Sequence, residues 1–152
     1  LQAFEIIYAF TLGAILRGLA VALVSFLVIS CFIKLPIFNF YLMIFYLVFS
    51  CCFLGLMGIL CGIISDGFDQ MSAVTSYLIT PLTFLSGTFY SIESLPKFWQ
   101  NIAHFNPFFQ MIDGFRFSIT GHCDGNLLMG AIYILAINLV MMIFIYRLLY
   151  KY

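Results

Sequence analysis

Residues 40–64 read FYLMIFYLVFSCCFLGLMGILCGII and contain no charged side chain. Roughly 20 apolar residues in a helix cross a hydrocarbon layer of about 30 Å, because a helix rises ~1.5 Å per residue. Inside lipid the backbone must satisfy its own hydrogen bonds, so an apolar stretch of this length is helical. A barrel strand would alternate in polarity, which this stretch does not. Residues 40–64 therefore predict a membrane-spanning helix.

The whole chain shares the composition of this stretch. Apolar residues make up 64% of the 152 residues and charged residues 8%, whereas soluble domains average about 45–50% and about 25%. Six basic and six acidic side chains cannot cover a globular core, so we expect a membrane protein in contact with the lipid bilayer. The formal net charge is zero, which provides no basic field for nucleic acid.

Charged residues divide the chain into apolar runs that are each long enough to span a membrane. We predict an all-α integral membrane protein with one transmembrane domain over residues 1–152. Its four transmembrane helices are predicted at residues 12–33, 40–64, 71–89 and 127–146. The segment 90–125 mixes prolines, charges and many aromatic residues. It predicts short helices that lie in the interface, or that dip into the membrane and return.

Arg17 is the one charged residue inside the first predicted span, near its start. An arginine within a membrane is a functional hypothesis by default. An arginine only a turn or two deep can instead extend its guanidinium to the headgroups. We favour this second interpretation and keep the first as the alternative. Lysines and arginines are divided evenly between the two predicted faces, so they predict no orientation.

The end of the third predicted span combines a proline, hydroxyl side chains, a glycine and an aromatic pair. Pro81 lacks a backbone donor and should bend the helix. The hydroxyls either line a polar path or bond back to their own helix, and Gly87 permits close approach or an unusual φ. We predict that this segment controls passage along a translocation path, with the residues Thr80, Pro81, Thr83, Ser86, Gly87, Phe89 and Tyr90.

Two further groups of charged residues are candidate sites. Asp66 and Asp69 flank a tight turn between two predicted spans, where they either dock a basic partner surface or cap and stabilise the next helix. Asp113 and Arg116 stand three apart in the long segment and are expected to form an ion pair. Transport of a charged group by this pair is the less favoured alternative.

Motifs of catalysis and metal binding are absent from the sequence. It contains no GxxxxGK[ST], HExxH or GxSxG motif, which excludes a P-loop nucleotide hydrolase and two common hydrolase classes. The five cysteines match no zinc or haem spacing. We therefore predict no catalytic residue, no metal site and no cofactor.

Residues 79–116, ITPLTFLSGTFYSIESLPKFWQNIAHFNPFFQMIDGFR, resemble the signature region of type-2 ABC exporter permeases. The resemblance consists of a proline-bearing helix, an S-G-x-F-Y run at 86–90, an L-P pair at 95–96, an N-P pair at 106–107, and an Asp-to-Arg end at 113–116. Residues 13–18 are also similar to the start of the third helix of that family.

The resemblance implies a multi-pass subunit of the cell (inner) membrane with six spans and cytoplasmic termini. It implies a dimer with a second permease copy, identical or not, and an ABC ATPase subunit that hydrolyses ATP in place of this chain. It places the turn at 65–70 in the cytoplasm, the segment 90–125 outside as re-entrant helices, and the third predicted span beside the path. Since only four spans are predicted here, the chain corresponds to the C-terminal part of such a protein.

The favoured function is the transmembrane subunit of an ATP-driven ABC exporter for an amphipathic or hydrophobic compound, such as a drug, a lipid or a lipid-linked glycan. A membrane assembly or scaffold subunit that transports nothing is the alternative. An intramembrane enzyme is less favoured, because no pair of catalytic groups falls inside a span.

Overall fold

The structure is a computed structural model and describes residues 3–34, 36–65, 67–87 and 96–151. These ranges are helical and contain no strand, which confirms the predicted all-α class. The helices are α1 Ala3–Phe32, α2 Phe40–Ile64, α3 Phe68–Val74, α4 Thr80–Phe84, α5 Lys97–Phe105, α6 Pro107–Thr120 and α7 Leu127–Lys151. A π-helical turn, Thr75–Ile79, joins α3 to α4.

Three helical segments are long and apolar enough to cross a membrane: Phe4–Phe32, Phe40–Ile64 and Leu127–Tyr150. The predicted span at 71–89 corresponds to α3, the π-helical turn and α4, which together form one helical rod that we call the proline helix (residues 68–84). The described rod is about 25 Å long at ~1.5 Å per residue, and a turn follows it to Gly87. The predicted span at 71–89 therefore stays a prediction.

The first predicted span, residues 12–33, begins too late. Helix α1 starts at Ala3, because its first turns pack against the bundle: Ile7 is buried in a cluster with Leu56 and Ile145. Arg17 therefore lies at the middle of α1, whereas the sequence alone placed it near one end of the predicted span.

The two ends of the bundle are distinguished by which helix termini they gather. Ile6, Ile63, Met71 and Leu149 line one cavity, so the start of α1, the end of α2, the start of α3 and the end of α7 lie together. We call this the Met71 end. At the opposite end the Asn39 amide donates to the Ser118 carbonyl over 2.9 Å, next to Gly121; we call it the Gly121 end.

Helices α5 and α6 form a hairpin beside α2, and this hairpin contains the predicted short helices. The ring of Phe108, at the start of α6, meets that of Phe53 edge-on at 6.0 Å, and the end of α6 bonds to Asn39. Helix α6 therefore runs antiparallel to the half of α2 nearest the Gly121 end, and its first turn lies at the middle of α2.

Candidate translocation site

The proline helix is irregular one turn before its proline. The backbone N–H of Thr80 donates to the carbonyl of Thr75, five residues back, and the Thr80 hydroxyl donates to the same oxygen at 3.0 Å. Pro81 has no N–H, and a proline ring crowds the carbonyl four residues earlier, here that of Tyr77. The wider π-helical turn accommodates this, and such turns often occur at functional sites.

The described hydroxyls of this segment bond back to their own helix. The Thr83 hydroxyl donates to the Ile79 carbonyl at 2.8 Å, and the buried Ser86 hydroxyl donates to the Thr83 carbonyl. Of the two alternatives for the hydroxyls, the structure shows bonding to the backbone. Thr83 nevertheless also lines an apolar cavity beside α1 and α2.

Gly87 closes the turn after the proline helix with φ of 74°. This is the left-handed region, which residues with a Cβ adopt only at a cost. The sequence analysis allowed either a close approach or an unusual φ at Gly87, and the structure shows the unusual φ. The predicted partners Phe89 and Tyr90 lie outside the described residues.

Asn106 connects the proline helix to the α5–α6 hairpin. Its side chain is almost fully buried, and Nδ2 donates to the Leu82 carbonyl at 2.6 Å. Its Oδ1 accepts from the Phe108 amide at 3.0 Å, which caps α6 in the usual asparagine manner. The Asn106 side chain thus forms hydrogen bonds to both the proline helix and α6. Nearby, the Tyr133 hydroxyl of α7 donates to the Phe105 carbonyl at 2.6 Å.

Asp113 and Arg116 lie in contact, and a third charged residue joins them. Arg116 Nη2 donates to Asp113 Oδ1 at 2.8 Å and to Asp124 Oδ2 at 2.9 Å. Asp113 also accepts from the amides of Asp124 and Gly125, each at 2.9 Å. The network fastens the loop before α7 onto α6, which favours the structural interpretation of the predicted ion pair.

The electrostatics of this network follow from its burial. Burial lowers the pKa of Arg116, but its hydrogen bonds and charge interactions with Asp113 and Asp124 raise it, and the net shift is upward. Burial raises the pKa of the neighbouring Cys123 thiol, and the two carboxylates raise it further. The guanidinium therefore stays charged and the thiol stays protonated at neutral pH.

The acidic turn lies at the Met71 end. Asp69 is exposed in the first turn of α3, where a negative charge is favourable to the helix dipole. The N-cap is Gly67, without a side-chain cap bond, so Asp69 does not cap this helix. Asp66 lies outside the described residues.

Comparison with known proteins decides the family. The family model described as ABC-2 type transporter matches residues 1–120, which contain α1 to α6 and therefore the proline helix, Asn106, Asp113 and Arg116. The chain belongs to the ABC-2 type transporter family. It is a multi-pass membrane protein.

Curated relatives of this ABC-2 chain are inner membrane transport permeases. The chain is 35% identical over 119 residues to the inner membrane transport permease YadH of Escherichia coli K12, and likewise to that of Shigella flexneri. The match covers 78% of this chain and 46% of each relative, so the chain spans about half the length of these proteins. No solved structure matches it.

In this ABC-2 chain the predicted site residues fall into three separate places. Thr80, Pro81, Thr83, Ser86 and Gly87 form the end of the proline helix, Asp69 lies at the Met71 end, and Asp113 and Arg116 lie towards the Gly121 end. Sequence reasoning missed Asn106 and Asp124 as site residues. An asparagine directly before a proline is a typical helix start and could have indicated the first; no local signal indicates the second. In the described ranges no group of three metal-ligating side chains occurs.

Proposed function

We propose that this chain is the C-terminal part of the transmembrane subunit of an ATP-driven ABC exporter in the inner membrane. The exported compound is amphipathic or hydrophobic. A second permease copy and an ABC ATPase complete the transporter, and the ATPase hydrolyses the nucleotide. Family membership supports a transport role, and the similarity to inner membrane transport permeases supports the inner membrane.

The match of the ABC-2 type transporter model to residues 1–120 carries the proposal, and the bond from Asn106 to Leu82 supports the way in which we propose that the subunit moves. This bond ties the irregular end of the proline helix to the buried Asn106 in the turn of the α5–α6 hairpin, so the two parts of the signature region are connected directly. This connection would transmit a movement of the proline helix to the hairpin. A static membrane subunit would not need such a connection.

We place the Met71 end in the cytoplasm and the Gly121 end outside. In this orientation the proline helix is the start of the third of the four predicted spans, and the α5–α6 hairpin enters the membrane from outside to about half its depth. The hairpin suits this position because its deep turn leaves few free polar groups: the Leu82, Phe105 and Asn106 groups pair with one another or with Tyr133. Unpaired backbone groups are costly at membrane depth, so pairing of these groups is required there.

The end of the proline helix then controls passage. The π-helical turn before Pro81 and the left-handed Gly87 are two deformable points on either side of Thr80 and Thr83. Ser86, Phe89 and Tyr90 follow in the sequence, and we assign them to the same controlling segment. Movement between the two points would open or close the outer part of the path.

The acidic turn docks the ATPase. Asp69 is exposed at the Met71 end, and Asp66 precedes it by three residues. Two carboxylates on a cytoplasmic turn would attract a basic surface, although each exposed ion pair contributes only about 0–1 kcal/mol. Docking therefore depends on the pair of charges more than on either one.

Co-expression of the full-length permease with the ABC ATPase encoded beside it tests the proposal. We expect the two to co-purify, the purified complex to hydrolyse ATP faster than the free ATPase, and ATP to drive a fluorescent lipid into inside-out vesicles. An ATPase carrying an inactivated Walker A lysine is the matched control. Absence of both co-purification and ATP-driven accumulation would favour the scaffold alternative.

A further inference from the structure

Arg17 lies at the middle depth of the helix bundle. Its neighbour Gly18 is packed against Cys51 so closely that an added Cβ would lie 2.2 Å from the Cys51 sulfur. One turn before Arg17, Ala14 packs against Gly55 in the same way. Cys51 and Gly55 are central in α2, so Arg17 is about 15 Å or more from either end of α1 and α2 at ~1.5 Å per residue.

This depth changes the interpretation of the arginine. Half of the hydrocarbon layer is about 15 Å thick, which is far more than the turn or two over which an arginine can reach the headgroups. A charge at this depth is costly and is kept only where it faces a partner or a polar cavity. Within the described ranges, no carboxylate forms an ion pair with Arg17.

Arg17 is exposed and is one of the residues that line a groove between α1 and α2. Arg17, Gly18, Val21, Cys51 and Leu54 line a groove of about 360 Å³. Four of these residues, all except Arg17, also line a second groove of about 570 Å³ that extends to Thr83 and Phe108. The two grooves are therefore continuous. We call them together the Arg17 groove: α2 forms its floor, α1 one wall, and the proline helix and α6 the other.

We infer that the Arg17 groove binds an amphipathic anion during passage, with its acidic headgroup on Arg17 and its apolar body towards Thr83. The inference rests on the proposed function and names the substrate class. A guanidinium binds a carboxylate or a phosphate through paired hydrogen bonds. The remainder of the groove is almost entirely apolar, which matches a hydrocarbon or aromatic body.

The position excludes an ordinary annular lipid as the occupant. The headgroup of such a lipid stays at the interface, about half a hydrocarbon thickness from Arg17. An acidic side chain from another helix is the competing partner for the charge. Its helix would neutralise the arginine and would also cover the groove. A ligand with an acidic and an apolar part accounts for both features as well, and the binding of an acid compared with its ester separates the two partners.

A fluorescent fatty acid and its ester separate these partners. The full-length permease, assembled with its ATPase, is placed in phosphatidylcholine nanodiscs and titrated without ATP with dansyl-undecanoic acid or its methyl ester. We expect the wild type to bind the acid about tenfold more tightly than the ester, the usual worth of a hydrogen bond to a charged group. Arg17→Gln should bind both equally, and Arg17→Lys should keep part of the preference.

Matched variants and competitors complete the test. Arg147→Gln, at the end of α7, should leave the preference for the acid unchanged. Val21→Phe should weaken the binding of acid and ester alike, because it fills the shared part of the groove. Displacement of the probe by palmitate or by lysophosphatidic acid then distinguishes a carboxylate ligand from a phosphate ligand.

Two results would overturn the inference. One is an assembled Arg17→Gln complex that still prefers the acid, or a wild type that shows no preference. The other is loss of assembly in both Arg17→Gln and Arg17→Lys, which would assign the arginine to an ion pair with another helix. If only Arg17→Gln fails to assemble, the Arg17→Lys variant is used instead. Part of the preference for the acid supports the inference, and no preference contradicts it. Binding is measured without ATP, so either failure leaves the proposed ATPase partnership to its own test.

Discussion

Gly87 has a backbone conformation that a side chain would oppose. Its φ of 74° costs other residues roughly 1–2 kcal/mol, whereas asparagine tolerates the left-handed region better. We expect Gly87→Leu to insert and assemble with the ATPase yet to abolish export and uncouple it from ATP hydrolysis. Gly87→Asn, which is similar in size, should retain most of the coupling. Transport and hydrolysis measured on the same nanodisc preparation check this.

The alternative role of Gly87 has its own signature. If Gly87 only allows two segments to pack, Gly87→Leu will fail to accumulate in the membrane or to assemble. Equal loss of coupling in the leucine and asparagine variants would also contradict a conformational role, because only the leucine variant is expected to strain the backbone.

Gly114 is a second glycine with a specific structural demand, here one of space. An added Cβ would lie 2.1 Å from the ring of Tyr46, which is completely buried and donates to the Leu127 carbonyl at 3.0 Å. We expect Gly114→Ala to destabilise the permease by about 1–3 kcal/mol, as overpacked cores do. Thermal unfolding of the purified protein measures this effect.

Gly13 provides the control for that measurement. A Cβ at Gly13 would meet no atom within 4 Å, and alanine is a better helix former than glycine by about 1 kcal/mol. Gly13→Ala should therefore leave the unfolding temperature unchanged or raise it. A Gly114→Ala variant as stable as the wild type would show that the α2–α6 contact is looser than described.

At the scale of elements, Asn106 separates capping from coupling. Asn106→Ser keeps an oxygen that can cap α6 but removes the amide that donates to Leu82. We expect this variant to remain folded, since a cap costs about 1 kcal/mol when lost and here it is retained. Export should fall while ATP hydrolysis continues. Asn106→Ala, which loses both functions, should in addition unfold at lower temperature.

An Asn106→Ser variant with full export would contradict the coupling role. In that case the bond to Leu82 would only hold the hairpin in place, and the proposed transmission between hairpin and proline helix would need another contact.

The sequence predicts the elements that depend on local composition, and it misses those that depend on distant packing. The spans 40–64 and 127–146 agree with α2 and α7 to within a few residues, because hydrophobic length alone determines them. The start of α1 was missed because it depends on packing of Ile7 against two distant helices. The π-helical turn before Pro81 depends on how the helix relieves a crowded carbonyl, and composition does not reveal it.

The candidate site shows the same division. The pairing of Asp113 with Arg116 follows from their spacing of three residues on one helix. Asp124 joins them only because the loop after Gly121 folds back onto α6. The depth of Arg17 likewise became apparent only from the register between α1 and α2. That register changed the interpretation of Arg17 from an interfacial residue to a residue that binds a ligand in our inference.

At the scale of the whole molecule, the acidic turn should govern assembly. Neutralising one acid, as in Asp69→Asn, should matter little, because an exposed ion pair contributes about 0–1 kcal/mol. Replacing Asp66 and Asp69 together by lysine adds repulsion and should lower co-purification of the ATPase, most strongly at low salt. Unchanged co-purification of the double variant across a range of salt would refute the docking role.

The central claim is that the acidic turn and the loop before α7 lie on opposite faces of the membrane. Asp69 is exposed at the Met71 end, and the side chain of His122 is 85% exposed beside Gly121. Single cysteines at these two positions, in a full-length permease without its native cysteines, can be labelled in intact cells with a membrane-impermeant maleimide.

We expect His122→Cys to react from outside and Asp69→Cys to react only after permeabilisation. Labelling of both cysteines from the same side would contradict the four-span topology. That result would also contradict the cytoplasmic position of the docking turn and the entry of the hairpin from outside.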